Sequence, residues 1–190
     1  APLMSLFEFL MVMVSIIIGL GISELLTGVA RLIRSRSETR AYWVQLVLVA
    51  AVFIVLVQQW WEFWQLRELQ EWTFAIVLLY LAELVGLYLI AHLLFPEQVR
   101  GADLHAYYYG EMRPVWWIGI VTILIAMTFW SVAIGHPVFV ADHLSTWVGL
   151  GSFFILAVSK RPPLHAVLVP LFLLLSVWDV VEFSFVVSNG

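Results

Sequence analysis

Residues 42–64 read YWVQLVLVAAVFIVLVQQWWEFW. An otherwise apolar run, long enough to cross a hydrocarbon core of about 30 Å at about 1.5 Å per helical residue, closes on Val57-Gln58-Gln59-Trp60-Trp61-Glu62-Phe63-Trp64. Two amides, a carboxylate and three indoles thus fall within two helical turns at one end of a membrane span.

The rest of the chain has the same character. Of 190 residues, 63% are hydrophobic and only 12% charged, with a mean hydropathy of +1.00, against roughly a quarter charged in soluble domains. The nine basic residues are scattered and the net charge is -4, so no nucleic-acid face is expected. With no cysteine, disulfides, thiol catalysis and thiolate-bound metal or iron–sulfur centres are excluded.

Further span-length runs cover residues 4–26, 72–95, 115–135, 138–159 and 164–187. Together with 42–64 they predict an all-α integral membrane protein, a six-helix bundle forming one transmembrane domain over 1–190. The first run lacks a basic leader and a small-residue cleavage motif, so it reads as a span continuing toward Arg31 and Arg34 and not as a signal peptide. Arg67 and Glu71, four apart, predict helix through the turn after the second span. Residues 96–114 form the one sizeable loop.

Orientation follows from charge. Connectors one, three and five carry four, two and two Lys/Arg, and the alternate connectors only Arg67. Short basic connectors face the cytoplasm, so both termini are expected outside, in an inner or plasma membrane. The tryptophans cluster at span ends, as interfacial anchors do.

Depth then sorts the ionisable residues. Glu8, Glu62, Asp142, His143, Asp179 and Glu182 fall toward the outer side, Glu83 near the midplane, and Glu24 and His92 toward the inside. Gln58 and Glu62 are four apart, and Ser176, Asp179 and Glu182 step by three, so each set shares a helix face. No Lys or Arg lies deep in any span to pair with them. Burying a charge at the midplane costs on the order of 3 kcal/mol on insertion scales, and intramembrane carboxylates commonly mark ion or proton routes. The expected function is passage of protons or another small cation. Glu62, Asp179 and Glu182, with Glu8 and Gln58, would collect it, Glu83 would bind or relay it, and Glu24 and His92 would release it.

Two other readings stand beside this one. Asp142, His143, Glu62, Asp179 and Glu182 are candidate ligands for a metal at the outer face. His92 and His165 on the inner side, with His136 and His143 on the outer, have the leaflet pairing that a haem carrier needs. His136 and His165 stand beside prolines at helix ends, where a solvated or capping histidine is ordinary. A retinal Schiff base is excluded, because Lys160 is the sole lysine and lies in a connector. Phosphate-loop and nucleophile-elbow motifs are absent, and Tyr107, Tyr108 and Tyr109 with His105 and Glu111 read as an interfacial cluster.

The third reading is a non-catalytic or ligand-binding subunit of a membrane complex. On the first span Ser15, Gly19, Ser23 and Thr27 recur every fourth residue, a stripe that lets a second helix approach closely. The bilayer and a homo-oligomer or larger complex are the expected partners.

Overall fold

The computed structural model describes residues 6–69, 71–135 and 144–181. They form seven helices: α1 (Leu6–Arg34), α2 (Trp43–Gln65), α3 (Phe74–Leu93), α4 (Leu104–Gly110), α5 (Arg113–Ile134), α6 (Leu144–Val158) and α7 (Pro162–Asp179). No strand occurs among the described residues, and an isolated bridge joins Arg40 to Asp103.

Five of these helices, α1, α2, α3, α5 and α7, are long and apolar enough to cross a membrane. The expected fifth span over 138–159 is represented by the 15-residue α6, shorter than the roughly 20 residues a crossing needs; residues 136–143 lie outside the described part. The end of the expected sixth span, from residue 182, also lies outside it.

Local chemistry sets the helix ends. Thr73 Oγ1 accepts the Ile76 N–H at 3.3 Å and caps α3, supplying one of the partners that the first turn lacks. Asp103 caps α4 by accepting from the His105 and Ala106 N–H groups at 2.9 and 3.1 Å. Proline in the first positions of α5 and α7 is tolerated because those N–H groups have no helical partner. Gly135 closes α5 at φ 73°, in the left-handed region.

The turn after α2 departs from the expected helix. A 3₁₀ turn, Leu66–Glu68, comes next, and residues 69 and 71–73 are non-helical. Arg67 pairs with Glu68 at 3.4 Å and lies over the Trp64 ring at 5.5 Å, so it does not reach Glu71 in helical register.

The helices pack in a ring ordered α1, α3, α5, α6, α7, α2 and back to α1, with α2 also touching α3. The α3–α5 contact is the most extensive among the described helices, and Gly86 permits close approach there: a Cβ would overlap Thr122 Oγ1. Outward faces are strongly apolar, with Phe74 82% exposed and Val167 and Leu174 each 65% exposed. Large apolar side chains so exposed on every spanning helix match a lipid surround.

At one end the first and third connectors are laced together. Arg40 N–H donates to the Ala102 carbonyl at 3.1 Å and Leu104 N–H to the Arg40 carbonyl at 3.0 Å. Thr39 Oγ1 donates to the Val99 carbonyl at 3.0 Å, and Arg100 grips both oxygens of Glu38 at 2.8 and 2.9 Å. That hydrogen-bonded guanidinium holds the Glu38 carboxyl below its usual range. The fifth connector joins the same end, since Arg113 Nε donates to the Ala157 carbonyl at 3.1 Å.

Candidate functional site

The polar groups near the end of α2 converge. Gln58 Nε2 donates to Glu62 Oε1 at 2.7 Å, one turn along the same face. Opposite, Tyr80 Oη of α3 donates to the Gln59 carbonyl at 2.8 Å, and one turn further on Glu83 points inward, only 2% exposed. The Gln59 side chain stands beside the Glu83 carboxyl, and Glu62 lies within electrostatic reach of both Glu83 and Asp179. Because α2 packs against both α3 and α7, it brings acidic residues from three helices to one place.

The cluster is incompletely satisfied. Glu83 Oε2 is a buried oxygen without a hydrogen-bond partner, a condition shared among the described residues by Trp61 Nε1 of α2 and, at the other end of that helix, Gln45 Oε1. Buried polar groups are ordinarily paired, so each exception calls for a cause such as a bound species. Neither α2 nor α3 contains Lys or Arg, so neither supplies a cation to neutralise Glu83.

Glu24 and His92 meet elsewhere. His92 Nδ1 lies 3.2 Å from Glu24 Oε2, joining α3 to α1 beside a cleft of about 240 Å³ that Arg31 and Glu97 also line. Glu83 and His92 are nine residues apart, about two and a half turns, and so project from opposite faces of α3. Leu84, Leu87, Ile90 and Ala91 are buried along the helix between their levels. Glu24 and His92 are therefore in contact with each other, but off the line of the Glu83 cluster.

Glu8 is exposed in the first turn of α1. Asp142, His143 and Glu182 lie outside the described residues, as does His136, and among the described residues no three His, Asp or Glu side chains gather as metal ligands. On α1, Ser15 accepts from Trp60 Nε1 at 3.2 Å, whereas Gly19, Ser23 and Thr27 are exposed. The face that α1 buries runs instead through Leu10, Val14, Ile18, Gly21, Leu25, Gly28 and Leu32, so Gly19, Ser23 and Thr27 lie off the helix's packed face among the described residues.

His165 is buried, against the expectation of a solvated side chain, and it meets the other expectation, a capping side chain, by reaching the carbonyl just past the end of α6. It is 2% exposed, with Nε2 2.8 Å from the Ser159 carbonyl and Nδ1 3.0 Å from Tyr108 Oη. A carbonyl can only accept, so Nε2 carries the proton and Nδ1 accepts from the tyrosine. Both ring nitrogens are engaged by protein groups. Around them Tyr42, Tyr109 and Trp116 pack edge-on, and Tyr42 and Tyr109 share a 2.8 Å hydrogen bond. Burial raises the Tyr108 and Tyr109 hydroxyls above the ordinary phenol range.

Sequence reading also missed Gln45. Fully buried in the first turn of α2, it donates to the Leu94 carbonyl past the end of α3, while Tyr107 Oη donates to the Leu93 carbonyl at 2.9 Å. These bonds satisfy carbonyls that a helix end leaves without partners. An amide in an apolar run is a readable signal, but its target on another helix is not. Comparison with known proteins gives no matching family model, curated protein or solved structure.

Proposed function

We propose that this chain is a six-span inner- or plasma-membrane protein, both termini outside, that takes up and passes protons or another small cation at the α2–α3–α7 carboxyl cluster. The observation that carries the reading is Glu83. It is a carboxyl midway along an apolar helix, 2% exposed, with one oxygen lacking a hydrogen-bond partner. Such a group is costly to bury, and intramembrane ionisable residues mark translocation sites more often than scaffolding.

In this mechanism Glu62, oriented by Gln58, and Asp179 form the outer approach, with Glu182 following on the chain, and Glu83 holds the cation at mid-depth. The Glu24–His92 pair receives it at the inner end. The two stations are about 14 Å apart along α3 and on opposite faces, so transfer requires water between the helices or a shift of α3 against α1. Gathering of three basic connectors at one end supports the assigned orientation.

Flux into proteoliposomes under an imposed proton gradient, followed with a pH-sensitive dye and then repeated with Na⁺, K⁺ and divalent ions, tests this. Glu83→Gln keeps the shape and removes the charge, so flux should fall to the protein-free rate while the helical signal is retained. Unchanged flux in that variant overturns the mechanism.

One observation favours a second reading, a subunit that associates through α1. Gly19, Ser23 and Thr27 are exposed alongside Ile16, which is 58% exposed, and they offer a smooth unfilled face. Light scattering with detergent correction should give a particle larger than the 21.7 kDa chain, reduced to one chain by Gly19→Leu. A monomeric wild type removes this reading.

A further inference from the structure

We infer that the cleft between the end of α1 and the 97–100 segment binds the phosphate of an anionic phospholipid headgroup. The cleft measures about 420 Å³, within the range of small-ligand sites. Arg31, Arg34 and Arg100 line its walls, and Ser35 and Val99, both buried, form its floor.

Its guanidinium groups are unequally committed. Arg100 is fixed by two hydrogen bonds to Glu38, which is itself a lining residue, so the two charges offset. Arg31 gives Nη1 to the Glu97 carbonyl at 3.4 Å, a long contact that leaves most of its fork available. Arg34 has no carboxylate partner among the described residues. Glu97 is the remaining acidic group at the cleft, so the arginines stay in excess. Arginines at a helix C-terminus commonly only complement the carbonyl ends; here two of them, three residues apart on one face, also open onto a preformed cavity. Planar guanidinium forks match phosphate oxygens in a bidentate way.

Position selects a lipid as the source of that phosphate. The 29 residues of α1 extend about 44 Å, and Arg31 lies about 38 Å from Leu6. A hydrocarbon core is about 30 Å thick and the bilayer with its headgroups about 40–45 Å, which places both arginines at headgroup level. The floor is held by the Thr39–Val99 and Ser35–Arg31 hydrogen bonds, so the cavity exists before any ligand arrives.

Native mass spectrometry of the full chain released from vesicles of equal phosphatidylglycerol and phosphatidylcholine tests the proposal. Retained phosphatidylglycerol is expected on the wild type and on Arg36→Gln, whose residue does not line the cleft. In Arg31→Gln/Arg34→Gln retention should fall at least about tenfold, in keeping with the loss of charge-assisted hydrogen bonds. Arg34→Glu, a single change at an exposed position, should lower it in the same direction and serves if the double variant does not fold. Equal retention in Arg34→Glu, or equal retention of the two lipids by the wild type, overturns the inference. Thermal stabilisation of detergent-solubilised protein by inorganic phosphate, without retained lipid, would assign the cleft to a soluble phosphate and overturn the lipid assignment.

Discussion

Two buried polar regions, one at each end of α2, are built on opposite principles. Near its start the Tyr108–His165 and Tyr42–Tyr109 hydrogen bonds pair the ionisable side chains and use both histidine nitrogens, and the unpaired atom there is a neutral amide oxygen, Gln45 Oε1. Near its end Glu83 keeps a buried oxygen unpaired, with the acidic Glu62 and Asp179 close by. A satisfied network rigidifies a fold, whereas an unsatisfied one costs stability and persists where something binds or passes. The first region therefore reads as a lock joining α2, α4 and α7, and the second as the place of the proposed cation passage.

Substitutions can break that contrast. The largest effect is the loss of cation flux in Glu83→Gln, and the same variant should melt no lower than the wild type, because a neutral amide is easier to bury than a carboxylate. A much lower melting temperature would make Glu83 part of the scaffold. Next in size, His165→Ala should destabilise the protein by roughly 2–4 kcal/mol, combining a cavity with an unpaired tyrosine and carbonyl, while flux per folded molecule is kept. Denaturant unfolding in micelles measures this, and a loss of flux without loss of stability would reverse the two assignments.

The smallest effect lies in the connectors. Glu38 is held by Arg100 below its ordinary value of 4.5, so the folded state binds that proton more weakly than the unfolded state. Its contribution to stability is complete above pH 4.5 and disappears as pH falls through the lowered folded value. Stability curves of the wild type and Arg100→Gln should differ modestly at neutral pH and converge in acid. A gap that widens on acidification would contradict the pairing.

Much of the fold was legible in the chain. Span length and apolar content located the five long helices, since backbone groups in lipid must be paired internally and helices do this. Glu24 and His92 were placed at one depth by counting residues, and they meet at 3.2 Å. Less readable was α4, a short helix inside the polar loop, whose Asp103 cap was the available signal. The turn after Glu62 also defied its sequence spacing, since the helix gives way to a 3₁₀ turn in which Arg67 pairs with Glu68 and lies over the Trp64 ring.

By itself the sequence determined a membrane-embedded helical chain with carboxyl groups at several depths and basic connectors on alternate turns. Tertiary structure alone decided which side of each helix faces the protein. Lipid and protein interior are both apolar, so helices such as α3 carry little sidedness in composition, and rotation about the axis is set by close fits such as Gly86 against Thr122. That rotation turned Glu83 toward Gln59 and Glu62, put His92 on the opposite face beside Glu24, and buried His165 against Tyr108.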